Sequence, residues 1–136
     1  MNKKFFFSVR VYYEDTDAGG VVYNANYVKF LERARTEWLR AHGIEQHGLL
    51  EKGFGFVVVS MQVDFKRSAR LDDELLVSCD VSDVRASSAV FHQDITDSDG
   101  NVYVRATTKI ASVDLNRKRP TGIPPEIKEV FLSECD

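Results

Sequence analysis

A chain of 136 residues with 43% hydrophobic side chains is long enough for one domain with its own core, so residues 1–136 read as a single domain. A net charge of −3 argues against nucleic acid as the main partner, and 29% charged residues with only 3 prolines argue against a disordered chain. No run approaches the roughly 20 apolar residues of a membrane span, and the Phe5–Phe7 run behind Lys3 and Lys4 ends at Ser8 and Arg10, short of the roughly 7–15 apolar residues of an export signal.

Phe5 to Tyr13 is aromatic and β-branched and predicts a first strand. Asp15 to Gly20 is turn chemistry, with two glycines free to take left-handed backbone angles. From Asn24 to about Ala41 the period becomes helical. Tyr27, Phe30, Leu31, Ala34, Trp38 and Ala41 share one face, and Lys29, Glu32, Arg33, Arg35, Glu37 and Arg40 cover much of the rest. Asn24 or Asn26 is placed to cap the start and Gly43 to end the helix. A shorter helical stretch follows at about Glu45 to Lys52. Phe54 to Phe65 is a dense apolar run that suits a strand buried on both faces.

Leu75, Val77, Cys79 and Val81 then alternate with more polar neighbours, the period-two pattern of a half-buried strand. Ala89, Phe91 and Ile95 mark another strand, Asp97-Ser98-Asp99-Gly100 a hairpin turn, and Asn101 to Val113 a last long strand. Pro124 and Pro125 precede a short amphipathic helix, Glu126 to Leu132. The order predicts an α+β sandwich whose open sheet edge and uncovered face favour self-association.

The chemistry concentrates in the first loop. Glu14, Asp15 and Asp17 are three carboxylates within four positions. In an arbitrary protein such a cluster is a solvated turn or a cap. Here Gly19 and Gly20 let backbone pass close to a ligand, and Val21 to Tyr23 make the surroundings apolar. An aspartate there is expected to be partly desolvated, which raises its pKa and makes it a better base. A carboxylate beside a helix N-terminus also pairs a base or nucleophile with a dipole that stabilises anions, as acyl transfer requires.

Asp15-Thr16-Asp17-Ala18-Gly19-Gly20-Val21-Val22-Tyr23, followed by Tyr27 and Glu32-Arg33-Ala34-Arg35, resembles the signature of the hotdog-fold acyl-CoA thioesterases. Within them it is most similar to the 4-hydroxybenzoyl-CoA thioesterase family, in the branch associated with the bacterial Tol–Pal envelope system. The resemblance runs from Val9 to about Pro120. It implies a hotdog fold, a long central helix wrapped by a curved five-stranded antiparallel sheet, with two subunits joining sheets edge to edge. It also implies that Asp17 is the catalytic carboxylate, as nucleophile or as general base, and that the backbone N–H of Asn24 holds the oxyanion. Tyr13 and Tyr23 match aromatic positions near such a site; Tyr13 either orients Asp17 or the substrate, or packs in the core as a strand residue. Relatives in that branch usually carry histidine where this chain has Asn24. An asparagine amide can still position water, and the backbone N–H survives the exchange.

A coenzyme A thioester carries phosphates, so cations should line its route. Lys66, Arg67 and Arg70 form one basic cluster, Arg85 with Ser87 and Ser88 a second, and Arg117, Lys118 and Arg119 a third. By family position the Arg85 region matches residues that contact the nucleotide end. Glu32 is the other carboxylate on the helix, and Arg33, Arg35 and Arg40 around it suit a surface ion pair or a structural contact. His42, His47, His92, Cys79 and Cys135 show no metal-ligand or disulfide spacing, which fits a reducing cytoplasm and a reaction without metal or redox cofactor.

The expected function is hydrolysis of an acyl-CoA, or acyl-carrier protein, thioester by a cytoplasmic homo-oligomer. The alternative is a non-hydrolytic module that binds acyl-carrier protein or lipid-synthesis enzymes. A hotdog dehydratase would need a histidine flanking the helix, and this chain lacks it.

Overall fold

The structure, a computed structural model, describes residues 4–135. Lys3, weighed above as part of an export signal, lies outside them. The chain runs β1 (Phe6–Arg10), α1 (Asn24–Ala41), α2 (Gln46–Glu51), β2 (Phe54–Phe65), β3 (Glu74–Ser78), β4 (Asp80–Ser82), β5 (Ser88–Thr96), β6 (Val102–Asp114), β7 (Arg119–Pro120) and α3 (Pro125–Glu134). All strand pairs are antiparallel, in the order β1-β3-β5-β6-β2, with β4 beside β5 and β7 beside β6. The five strands of the expectation are present, the one through Leu75 to Val81 being broken into β3 and β4, and the short β7 is added. Among the described residues no helix is long and apolar enough to cross a membrane.

The helix α1 forms where its period places it and packs against β1 and β3. Tyr27, Phe30, Leu31, Ala34 and Trp38 are buried as expected, each large side chain contributing about 1.5–3 kcal/mol. Two positions differ. Ala41 is exposed, and Arg35, expected on the solvent face, is only 7% exposed. Gly43 ends the helix with φ of 79°, and the bonds Gly43 N–H to Arg40 O (3.0 Å) and Ile44 N–H to Leu39 O (2.9 Å) complete a Schellman motif. Gly43→Ala forces an L-residue into the left-handed region, so we expect a loss of about 1–2 kcal/mol by denaturant melting.

Leu75, Val77, Cys79 and Val81 all face the core, so the alternation holds across the break between β3 and β4. The β5–β6 turn is built on Asp97. Its carboxylate accepts the Asn101 side-chain amide and the N–H groups of Asn101 and Asp99, and these bonds, Asn101's first, hold it below the usual carboxylate range.

The strand β2 has its expected bounds but not its expected burial. It is the last strand of the sheet and pairs only with β6. Val57, Val58, Val59 and Phe65 are 43–56% exposed. The register shift between Val58 and Ser60 leaves Val59 as an extra residue, a bulge that bends the strand. A long apolar edge of this kind is unstable as a bare surface.

Candidate active site

The strand β1 stops at Arg10 instead of continuing to Tyr13, because the chain turns there. Val11 exchanges backbone bonds with Asp73 and Asp72 (2.9 and 3.0 Å), and Tyr13–Asp15 forms a single 3-10 turn held by the Tyr12 N–H bond to the Asp15 carboxylate (2.9 Å). Tyr13 is consequently 82% exposed, which rules out the packed-core reading for it.

The following loop closes on itself. Thr16 bridges Val22, the Asp17 N–H donates to Val21 O (2.9 Å), and the Gly20 N–H donates to Asp17 O (3.0 Å) with Gly20 at φ of 80°. The Gly19 N–H donates to Asp17 Oδ1 at 2.9 Å, and a Cβ at position 19 would stand 3.3 Å from that same oxygen. One carboxylate oxygen of Asp17 is thereby oriented by the backbone, which leaves the other for a substrate or water.

The loop is tied to the start of α1 through Asp15. Its carbonyl accepts both the Tyr23 N–H (3.0 Å) and the Asn26 side-chain amide (2.9 Å). Neither Asn24 nor Asn26 caps the helix by its side chain; Tyr23 occupies the N-cap position with no side-chain cap bond. Among the described residues the Asn24 and Ala25 N–H groups meet no acceptor, so the positive end of α1 is open beside the aspartate loop. Asn26→Ala removes the Asp15 tie, a part-buried hydrogen bond, and we expect a loss of about 0.5–1.5 kcal/mol in stability, read by denaturant melting.

A second support comes from the 66–73 segment. Val22 N–H donates to Ala69 O, Ala69 N–H donates to the buried Tyr27 hydroxyl (2.9 Å each), and Val21 bridges Arg70. Tyr27→Phe leaves the Ala69 N–H unsatisfied inside the core, so the expected cost is about 1–3 kcal/mol, read as a drop in melting temperature. Lys66 and Arg67 lie in this segment, both bonded through backbone N–H to Tyr103 O, with the Arg67 guanidinium 5.7 Å from the Tyr103 ring centre. They stand at the Asp17 end of the sheet.

Arg85 and Ser87 do not. The Arg85 guanidinium pairs with Asp83 (3.1 Å), and Ser87 O accepts the Ser112 N–H at the far end of β5 and β6. The nine residues of β5 separate the two ends, roughly 25–30 Å. Arg117, which pairs with Asp114, is also at that far end. Within one chain Asp17 is exposed, as is Tyr23 at 57%. The desolvation expected from Val21–Tyr23 is therefore not supplied by a single copy: Val22 turns into the core and Tyr23 remains outside.

Along α1, starting one turn beyond Asn24, a groove of about 380 Å³ runs between the helix and β2. Val28, Leu39, Phe56, Val57 and Met61 give it apolar walls, and Glu32, Arg35 and Thr36 interrupt them. Glu32 is exposed, takes part in no ion pair among the described residues, and also borders a more open groove beside Phe7 and Lys29. Arg35 donates to Gln93 Oε1 (3.0 Å), and the Gln93 amide donates to Leu31 O (3.0 Å). Burial lowers the Arg35 pKa, partly offset by Cys79 and Glu32 nearby.

A family model described as the thioesterase-like superfamily matches residues 11–131. The chain is 45% identical over 132 residues to a protein of Haemophilus influenzae named acyl-CoA thioesterase YbgC, covering 96% of each. It is 43% identical over 132 residues to the acyl-CoA thioester hydrolase YbgC of Escherichia coli O6:H1, covering 96% of this chain and 98% of that one. Among solved structures, a probable thioesterase from Bartonella henselae superposes with TM-score 0.79 at 32% identity over 90% of this chain and all of that one. The 1,4-dihydroxy-2-naphthoyl-CoA thioesterase Slr0204 of Synechocystis superposes with TM-score 0.89 at 23% identity over 96% of each, a likeness of fold. Family model, near relatives and superposed structures agree, so the chain belongs to the thioesterase-like superfamily and has its hotdog fold, a long helix in the curl of an antiparallel sheet.

Proposed function

We propose that this protein is an enzyme that hydrolyses acyl-CoA thioesters to a free acid and a thiol, with residues 1–136 as a single catalytic domain. The observation that carries the reading is the pairing of a backbone-oriented Asp17 carboxylate with the unpaired N–H groups that open α1. A thioester carbonyl placed at the Asn24 N–H has its developing negative charge stabilised there. Asp17 either takes a proton from water as the water oxygen attacks the carbonyl carbon, or attacks that carbon itself and forms an anhydride that water then opens. In both cases the C–S bond breaks and the thiolate leaves with a proton. The names of the close relatives support the same substrate class.

Asn24, exposed in the first turn of α1, is assigned the role of holding the water through its side-chain amide. Tyr13 and Tyr23, both exposed, are assigned to flank the thioester in this reading. The apolar groove along α1 takes the acyl chain, and Lys66 and Arg67 attract the phosphates. In the finer assignment the protein belongs to the 4-hydroxybenzoyl-CoA thioesterase family, in its Tol–Pal-associated branch, and acts in the cytoplasm in lipid metabolism on thioesters of coenzyme A or of acyl-carrier protein.

The working unit is a homo-oligomer. Antiparallel pairing of β2 with a second β2 covers the exposed valines. It also brings the far end of one sheet toward the Asp17 end of the other, so that Arg85 and Ser87 of the partner subunit reach the nucleotide. Thiol release from acyl-CoAs varied in length and aromaticity, followed with a disulfide dye, tests the activity. Tight binding of acyl-CoA or acyl-carrier protein without release above background would favour the non-hydrolytic module instead.

A further inference from the structure

The groove beside α1 contains a polar station that hydrolysis of a simple hydrocarbon chain does not require. Arg35 lines it while only 7% exposed, takes part in no ion pair among the described residues, and has one described side-chain bond, to Gln93 Oε1. A guanidinium has five N–H donors, and the nearby Glu32 carboxylate forms no ion pair with it among the described residues, so donors are left to face an anion in the groove. A second observation points the same way. Thr108 is fully buried and its Oγ1 has no hydrogen-bond partner. In the register Thr108 stands between Met61 and Phe91, both of which line the groove. A buried hydroxyl without a partner thus stands beside two wall residues of the groove that Arg35 also lines.

We infer that Arg35 is a specificity-determining residue that selects acyl chains ending in an oxygen anion, a carboxylate at the end remote from the thioester. The inference rests on the thioesterase reading above. The helix geometry sets the chain length. Side chains lean toward the helix N-terminus, and Gln93 joins Arg35 to the Leu31 carbonyl, so the guanidinium sits near the level of Leu31. That level is about 10 Å beyond Asn24 at about 1.5 Å per residue. From a carbonyl at the Asn24 N–H, this distance matches a chain of about seven or eight carbons at roughly 1.25 Å per carbon. Glu32, one turn earlier and exposed, is the like charge such a carboxylate passes.

Two coenzyme A thioethers that cannot be hydrolysed, S-heptyl-CoA and S-(6-carboxyhexyl)-CoA, separate this inference from the activity itself. By calorimetry the wild type is expected to bind the carboxylated analogue about 10–100-fold tighter, the range for a hydrogen-bonded charge. Arg35→Met should bring the ratio close to one. Glu32→Gln, at an exposed position, should raise it by about two- to fivefold. A wild-type ratio near one overturns the inference whatever the variants do, and so does a folded Arg35→Met variant that keeps the preference. Preference without turnover of the matching thioesters supports the station and removes only the hydrolysis; turnover without preference does the reverse; binding of neither analogue overturns the inference, and turnover alone then decides the hydrolysis.

Discussion

Asp17→Asn should lose at least about 10²-fold in kcat/KM on acyl-CoA substrates while keeping its fold. The exchange preserves shape and the oxygen that accepts the Gly19 N–H at 2.9 Å, so the loop between Thr16 and Val22 has no reason to rearrange. It removes the negative oxygen to which the proposed mechanism assigns attack on the thioester carbon or on a proton of water. The α1 N-terminus remains, so some rate above background should survive through oxyanion stabilisation alone. Single-turnover thiol release separates chemistry from binding, and circular dichroism checks the fold. An Asp17→Asn variant with wild-type turnover would remove the carboxylate from the mechanism and leave the helix end as a binding site only.

Val59→Lys should convert the proposed oligomer to monomers and reduce activity by at least about tenfold. Val59 is 56% exposed at the bulge of the free edge and makes no register pair with β6, so the isolated chain should hardly change in stability. In a two-fold pairing of β2 with β2, lysines from both copies approach each other, and an edge lysine disfavours strand addition. Activity should fall with the oligomer, because one copy leaves Asp17 exposed and holds Arg85 and Ser87 roughly 25–30 Å away along the sheet. Sedimentation velocity read beside thiol release tests the coupling. A fully active monomer would show that one chain completes the site.

The physics of the chain sets limits on what its order of residues reveals. The α1 helix and its end at Gly43 are local, so period and a left-handed glycine suffice to place them. The same holds for the alternation from Leu75 to Val81, where period two survives the break between β3 and β4. Arg35 is instructive. It lies four residues after Leu31, three before Trp38 and four before Leu39, within the apolar stripe, and only its charge suggested solvent. Gln93, 58 residues away, supplies the bond that keeps it inside, and no local pattern announces that partner. Phe54–Phe65 fails for the opposite reason. Its apolar content is real, but a strand's burial depends on its position in the sheet, and β2 lies at the edge.

Residues close in the chain therefore determined the aspartate–glycine loop, the helix that follows it, the strand periods and, by resemblance, the family, because each rests on contacts within a few residues. Tertiary structure alone decided which tyrosines lie outside, which cation lies inside, which edge is bare, and that Lys66 and Arg67 share an end with Asp17 while Arg85 does not. Those outcomes depend on strand order and on partners tens of residues apart, where sequence spacing carries no information about distance.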